Sequence, residues 1–433
     1  MSAAPAPRVR AIAWIESHAA RRLRYTITAL VLLGTAIVAV HKQLRDGNDF
    51  PIYWRAARDL LSHRSPYDVA SGLHGYVYLP WFALLLGPLA LLPLPLAAVC
   101  WYAANVLFLW LGGRALLGVL QATAPTARPG WLVIALLPLL GLFQDNLVLG
   151  QANLLLSLLL AAAIQGALRQ RASWSQGVPL GLATALKMPA ALLLLPLLFR
   201  GRVRAAAGFA VAASLVVLLP FLTSGIPLGK QMLREWHAKV VAPAAAGTLQ
   251  GSSVIDQSPH AALRRLLVNE PAFEGHADNA MSLTPRAFHL VSRATAGLIL
   301  FGYLLVWAIA PARAAPRALL LDLALGCCAM VQVVGFNLKA QFIVLLLPAW
   351  LATTLAWQQR ARAPRRLLKL AGVLFLLSQP GLVGRTISNW LLAYSAMTLG
   401  TLCLAATLVA QRFAVTPPPS AARTAAPAAG TAP

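Results

Sequence analysis

Carboxylates are scarce in this chain and unevenly placed. Only 12 of its 433 residues are Asp or Glu. Two polar segments, at about 43–76 and 224–287, hold most of them: Asp46, Asp49, Asp59, Asp68, Glu235, Asp256, Glu270, Glu274 and Asp278. The remaining three are Glu16, Asp145 and Asp322. A proton-coupled carrier needs ionisable groups within its apolar runs, whereas this distribution favours acid–base chemistry on the polar segments.

Asp49 is the first candidate for that chemistry. Pro51 suits the first turn of a helix, and Asn48 or Asp49 could cap it. The following apolar residues recur at helical spacing, as in an amphipathic helix at a membrane surface. Two interpretations therefore stand: Asp49 caps this helix, or it is a general base just above the bilayer.

The elements around these carboxylates are membrane-spanning. The chain is 59% hydrophobic and only 11% charged, against about 25% charged in soluble proteins. This composition excludes a secreted enzyme, a disordered protein and a simple nucleic-acid binder. Apolar runs of spanning length predict an all-α polytopic membrane protein with about twelve transmembrane helices. The runs fall at about 26–42, 77–92, 95–113, 131–146, 147–168, 177–199, 205–223, 288–310, 318–336, 341–357, 367–383 and 390–411.

Charge predicts the orientation. The net charge is +24, and its basic clusters precede the first run and recur at 200–204 and 360–369. By the positive-inside rule these clusters are cytoplasmic, so the segments 43–76 and 224–287 are expected outside. Arg169 and Arg171 break the rule and leave the topology of 113–176 open.

Three regions follow from this orientation. Residues 1–25 are expected to form a cytoplasmic basic N-terminus, residues 26–411 the transmembrane domain, and residues 412–433 a disordered, Ala/Pro/Thr-rich cytoplasmic tail. The first run is interpreted as an uncleaved signal anchor. Abundant Ala, Leu and Arg without glycosylation sequons favour a bacterial inner membrane.

Several motifs follow one another between about residues 40 and 350. They are Asp49, an Ala-Ala-Arg helix, Ser65-Pro66-Tyr67, Tyr78-Leu79-Pro80, Gly150-Gln151-Ala152-Asn153, the span ending in Lys187-Met188-Pro189, and Asp256-Gln257-Ser258. In their order and spacing these motifs resemble glycosyltransferase family 87.

The resemblance implies a GT-C type membrane enzyme, in a family that includes polyprenyl-phosphate-mannose-dependent α-mannosyltransferases. Asp49 matches the position of the catalytic aspartate, which would deprotonate an acceptor hydroxyl. The partners implied are a polyprenyl-phosphate-linked sugar donor, a glycan or glycolipid acceptor and membrane lipids, without nucleic acid. Substrate contacts are expected from Tyr53, Arg55, Tyr78, Gln151, Asn153, Lys187, Asp256, Gln257, Arg264, Lys339 and Gln341. No Asp-x-Asp motif or metal-ligand spacing is present, so no cofactor and no essential metal are expected.

Two positions depart from the family pattern. Gln341 stands where relatives often have His, and Asp256 stands where Asn is usual. Gln can donate and accept hydrogen bonds but carries no charge. Lys187 lies deep in an apolar run, where it either faces the donor phosphate or pairs with a group such as Asp145. Three alternatives stay open: a lipid-linked-sugar carrier, a polysaccharide polymerase or ligase, and an inactive scaffold of a glycan pathway.

Overall fold

The structure is a computed structural model that describes residues 18–45, 48–67, 75–123, 134–168, 173–246, 253–270, 280–310, 316–359 and 361–414. These residues are helical, with one isolated bridge between Asp256 and Leu338 in place of any sheet. The predicted all-α class is confirmed. Several residues singled out above lie outside the described residues: Glu16, Asp46, Asp68, Arg169, Arg171, Glu274 and Asp278.

Six stretches of the described residues are long and apolar enough to cross a membrane, which makes the protein polytopic. They are the Tyr25–Gln43 part of α1 (His18–Gln43), α5 (Leu94–Thr123), α10 (Val203–Ser224), α14 (Pro285–Ile309), Lys339–Gln358, and α20 (Ala396–Phe413). The Lys339–Gln358 stretch consists of a 3₁₀ turn, Lys339–Leu345, followed by α16 (Leu346–Gln358).

Shorter helices complete the chain. They are α2 (Asp49–Leu61), α3 (Pro80–Leu85), α4 (Gly87–Ala90), α6 (Leu140–Leu149), α7 (Asn153–Leu168), α8 (Val178–Leu186), α9 (Leu194–Phe199), α11 (Ile226–Trp236), α12 (Ala242–Ala246), α13 (Pro259–Leu267), α15 (Pro316–Gln332), α17 (Arg362–Leu377), α18 (Pro380–Val383) and α19 (Arg385–Ala393). A π-helical turn, His237–Val241, joins α11 to α12.

Some predicted spans are broken, and the described residues contain six stretches of spanning length, one of which begins with a 3₁₀ turn, where the sequence predicted about twelve helices. The run 77–92 is split into α3 and α4, and the run 177–199 into α8, a 3₁₀ turn (Met188–Leu193) and α9. Proline explains the second break. Pro189 lacks the N–H that would donate to the Ala185 carbonyl in a continuous α-helix, and its ring would clash with that carbonyl, so α8 ends before it at Leu186.

The core is organised around α15. Every residue from Ala318 to Gln332 is buried, as expected of a helix that is apolar on all sides. Two of these buried residues, Asp322 and Gln332, are polar. The Asp322 carboxylate accepts from Arg200 and, at 2.7 Å, from Nε of Arg412. Arg412 is buried and lies within α20, which continues to Phe413. The helix thus continues past residue 412, where the tail was predicted to start, and residues 415–433 lie outside the described residues.

Candidate active site

A cavity of about 530 Å³ lies where the first turn of α2, the segment before α3, the break after α8, the π-helical turn and the segment after α15 meet. Its walls are mostly apolar, and polar side chains are few. Six of the residues predicted from the sequence line it: Asp49, Tyr53, Tyr78, Gln151, Lys187 and Gln341. The structure thus brings together residues that are up to about 290 positions apart in the chain.

Asp49 is the first residue of α2, and its half-buried carboxylate faces this cavity. Asn48 occupies the N-cap position but makes no side-chain cap bond; its amide donates instead to the carbonyls of Lys42 and Arg45, at 2.7 and 3.2 Å. Oδ2 of Asp49 accepts a 3.0 Å hydrogen bond from the side-chain amide of Gln151. Burial raises the pKa of Asp49 above its ordinary value, and the Gln151 bond and the charge of Lys187 partly oppose that rise.

A chain of buried amides orients Gln151. Asn153 donates to Oε1 of Gln151 and, at 2.9 Å, to Oδ1 of Asn146. Asn146 in turn donates to the carbonyls of Leu142 (2.7 Å) and Ala340 (2.9 Å). Because Oε1 of Gln151 is held by Asn153, the side-chain nitrogen of Gln151 points toward Asp49. Asn153 therefore supports the cavity from behind and does not line it.

Gly150 lets this network reach α2. It ends α6 in the left-handed conformation, with φ of 67°, and a β-carbon here would lie 2.8 Å from Cβ of Phe50. Only glycine combines that conformation with so close an approach. The turn between α6 and α7 can thus place Gln151 beside Asp49.

Lys187 lies at the break between α8 and the following 3₁₀ turn, where its backbone is extended. Its side chain lines the same cavity as Asp49 and is half-buried. Asp145, weighed above as its partner, pairs instead with Lys339 at 3.2 Å. Among its described lining residues, the cavity therefore holds one acidic side chain, Asp49, and one lysine, Lys187.

Buried tyrosines form one wall of the cavity. The hydroxyls of Tyr53 and Tyr78 lie 3.1 Å apart, and the Tyr67 hydroxyl donates to the Tyr78 carbonyl at 2.5 Å. Tyr76 and Phe82 pack against these rings. Burial raises the pKa of Tyr53 well above its ordinary value, so its phenol stays neutral. The sequence analysis missed Phe82, although its place among the aromatic residues at 76–82 was a usable signal.

The two polar segments predicted as outer loops meet at this cavity. Ser65 donates to the Glu235 carboxylate, and Lys239 donates to the Tyr67 carbonyl. The Trp236 indole donates to the Val77 carbonyl at 3.3 Å. These bonds tie the region around residue 65 to α11 and the π-helical turn.

Asp256 and Gln257 support the site without lining it. Oδ1 of Asp256 accepts the backbone N–H groups of Ser258 (2.9 Å) and Asn337 (3.0 Å), and the backbone N–H of Gln257 donates to the Asn337 carbonyl at 2.9 Å. These bonds hold the segment 336–338, which lines the cavity. The Gln257 amide donates to the Leu392 carbonyl at 2.7 Å, which anchors the same loop to α19. Burial raises the pKa of Asp256, and its backbone hydrogen bonds oppose that rise.

Three predicted contact residues lie elsewhere. Arg264 forms a 2.7 Å ion pair with Glu270, and Lys339 pairs with Asp145. Arg55 is exposed and lines a separate cleft of about 300 Å³ beside Arg58. None of the three lines the cavity that contains Asp49.

Arg265, which the sequence analysis missed, is the buried arginine of α13. Its guanidinium donates to the carbonyls of Ala393 (2.8 Å) and Asp256 (2.9 Å) and to the Ser395 hydroxyl (2.8 Å). Burial lowers its pKa to about 10. A signal was available, because Ala261 and Arg265 are four residues apart and share one face of the helix.

Metal ligands do not cluster here: within the part of the chain that the structure describes, no three His, Cys, Asp or Glu side chains are grouped to hold an ion. The fold and the cavity define a multi-pass membrane protein with a carboxylate and an ammonium in a largely apolar cavity. Comparison with known families then gives its class. The sequence model of glycosyltransferase family 87 matches residues 76–335, more than half of the chain. The chain belongs to this family and is a glycosyltransferase.

The matched range spans the positions of Tyr78, Gln151, Lys187 and Asp256. Asp49 precedes it and Gln341 follows it. No curated protein and no solved structure matches the chain.

Proposed function

We propose that the protein is a GT-C type hexosyltransferase of a bacterial inner membrane. It moves a hexose, with mannose the first to test, from a polyprenyl-phosphate-linked donor to a glycan or glycolipid acceptor. The active site opens to the periplasmic side, where the segments 43–76 and 224–287 are placed by the positive-inside rule. Nucleotide sugars are absent on that side, so a lipid-linked donor is required.

The observation that carries this proposal is the Asp49 carboxylate in the same cavity as the Lys187 ammonium. Asp49 takes the proton of an acceptor hydroxyl, and the oxygen attacks the anomeric carbon of the donor. The bond between that carbon and the phosphate oxygen breaks, and its electron pair leaves with the polyprenyl phosphate. Direct displacement inverts the anomeric centre. Burial of Asp49 raises its pKa, which strengthens it as a base near neutral pH.

Lys187 is proposed to neutralise the leaving phosphate. A cation near a phosphate in a cavity of low dielectric stabilises the charge that develops there. Tyr53 and Tyr78, as neutral donors on the same wall, are proposed to bind sugar hydroxyls. Gln341 lines the cavity without charge, so in this chain the phosphate relies on Lys187 and on neutral donors.

The test is transfer of labelled hexose from polyprenyl-phosphate-mannose in membranes that contain wild-type protein or Asp49→Asn. Asn keeps the size of the side chain but removes the base, so transfer should fall by about 10²–10⁴-fold. The matched control is Asp59→Asn on the same helix, whose carboxylate forms a partly exposed 2.7 Å pair with Arg64; it should transfer like wild type.

Equal transfer by wild type and Asp49→Asn would remove Asp49 as the base. Movement of the labelled donor across the membrane without bond formation would indicate a carrier. Transfer only from diphosphate-linked glycans would indicate a polymerase or ligase. No transfer from any polyprenyl-phosphate hexose would contradict the donor class and favour an inactive scaffold.

A further inference from the structure

A second cavity of about 230 Å³ lies directly behind the first. Ala244 and Ala245 on one side, and the segment 333–335 on the other, line both cavities. Gly335 keeps this partition thin, because a β-carbon at this position would lie 2.9 Å from the carbonyl oxygen of Ala244. A molecule bound in one cavity is therefore separated from the other by little more than backbone.

Gln332, the last residue of α15, presents an unused donor in this second cavity. Its side chain is 1% exposed, and Oε1 accepts a 2.5 Å hydrogen bond from the Tyr303 hydroxyl. Nε2 has no hydrogen-bond partner among the described residues. A buried amide N–H without an acceptor is costly, because it loses its hydrogen bond to water and gains none in return. A bound acceptor atom would remove that cost.

Most of the other described lining residues are small or apolar, and the polar side chains among them are His260, Ser292, His289 and Arg293. His260 lies 2.6 Å from the Ser292 hydroxyl, and Ser292, His289 and Arg293 belong to α14. No Asp or Glu is among the described residues that line this cavity. Arg293 is exposed and forms no ion pair with a described carboxylate. Guanidinium, imidazole and amide N–H groups without a carboxylate suit an anion.

We infer that the second cavity binds a phosphate group carried by the acceptor, with Arg293, His289 and the Gln332 amide as its ligands. The inference rests on the proposed function, which places the reacting hydroxyl beside Asp49 in the first cavity. The donor phosphate is a different group, because it leaves next to Lys187 on the other side of the partition. The phosphate belongs either to an acceptor sugar or to a lipid headgroup, since α14 is a candidate span that begins at Pro285.

Binding tests this inference without catalysis. The protein is placed in phosphatidylcholine nanodiscs, and the affinities for mannose 6-phosphate and for mannose are measured by calorimetry. The phosphate-bearing sugar should bind about tenfold tighter or more, because hydrogen bonds to a charged group contribute more than neutral ones. Arg293→Gln should remove most of that difference. Arg286→Gln should keep that difference in affinity, because Arg286 lies earlier on the same helix, is exposed and does not line the cavity.

A second variant guards against indirect effects. Gln332→Glu places a carboxylate in the cavity and should weaken mannose 6-phosphate more than mannose. Equal affinities for the two sugars in wild type, or an unchanged difference in both Arg293→Gln and Gln332→Glu, would overturn the inference. Asp49→Asn removes a contact that the two sugars share, so the ratio of their affinities should stay that of wild type. A failed transfer assay with wild-type protein that still binds mannose 6-phosphate tighter than mannose would count against the proposed function and not against this site.

The source of the phosphate is decided in the same system. Part of the phosphatidylcholine is replaced by phosphatidylglycerol, and the affinity for mannose 6-phosphate is measured again. If phosphatidylglycerol weakens the binding of mannose 6-phosphate, and Arg293→Gln abolishes that effect, the ligand is a lipid headgroup. If mannose 6-phosphate still binds tighter than mannose and phosphatidylglycerol has no effect, the ligand is a phosphorylated acceptor sugar.

Discussion

The side-chain amide of Gln151 donates to the carboxylate of Asp49 at 3.0 Å across 102 positions of the chain. Asp49 begins α2, Gln151 lies in the turn between α6 and α7, and the left-handed Gly150 brings that turn close to the start of α2. The bond favours the ionised form of Asp49 and so lowers its pKa against the effect of burial. Gln151 thus sets both the direction and the protonation of the proposed base.

Gln151→Leu should move the acid limb of the kcat/KM profile to higher pH. Transfer requires ionised Asp49, so activity falls as the pH falls through the pKa of that carboxyl. Burial already raises this pKa, and loss of the Gln151 bond raises it further. The measurement is hexose transfer as a function of pH.

Gln144→Leu serves as the control for this profile, because Gln144 is exposed on α6. Its acid limb should coincide with that of wild type. If Gln151→Leu reduces activity at every pH but does not move the acid limb, Gln151 acts on the substrate rather than on Asp49.

Asn146→Leu should lower stability more than Asn105→Leu. The Asn146 side chain donates to the Ala340 carbonyl and accepts from Asn153. Its removal leaves these buried groups without a hydrogen-bond partner, which lowers the free energy of unfolding by about 1–3 kcal/mol. Asn105 is equally buried, but its amide bonds only the Trp101 carbonyl of its own helix. Thermal unfolding midpoints in detergent test the difference. Equal midpoints would show that the amide network contributes little to the folded state.

Asp322→Asn should be among the most damaging single substitutions. The carboxylate is 4% exposed and joins α15 to Arg200 and to the buried Arg412 of α20. Removing it leaves two arginines without their counter-charge, which costs about 3–5 kcal/mol in buried pairs. The measurement is the fraction of folded protein recovered in detergent, together with its unfolding midpoint.

Asp59→Asn is the matched control, because the Asp59–Arg64 pair is partly exposed and such pairs contribute about 0–1 kcal/mol. Double substitution of Asp322 and Arg412 by apolar residues should recover part of the loss. A variant Asp322→Asn as stable as Asp59→Asn would contradict the importance of the buried network.

Among the residues that line the cavity, those predicted best from the sequence are the ones where local pattern and residue type agree. Asp49 beside Pro51, Gln151 after a helix-ending glycine, and Lys187 before Pro189 are all polar residues at helix ends. Helix ends in a membrane protein are where backbone and side chains can face a polar cavity. Their positions therefore follow from chain-local signals.

What could not be predicted depends on tertiary pairing. Arg264 was expected at the site because it fits a motif, whereas the structure buries Arg265 and leaves Arg264 with Glu270. A shift of one position turns a helical side chain by about 100°, and the motif alone does not fix that rotation. Lys339 pairs with Asp145, almost 200 positions earlier, by a contact that no local pattern encodes.

The last prediction separates the two lysines. Lys187→Met should raise the KM for polyprenyl-phosphate-mannose and lower kcat, because the ammonium interacts with the phosphate in the bound donor and more strongly as the phosphate leaves. Lys187→Arg retains the charge and should recover part of both parameters. Lys339→Met removes a buried partner of Asp145 but no group that lines the cavity. It should lower the unfolding midpoint while the folded enzyme keeps the donor KM of wild type. Equal donor KM values for Lys187→Met and wild type would leave the phosphate without its proposed cation, and Gln341 and the tyrosine wall would then have to bind it as neutral donors.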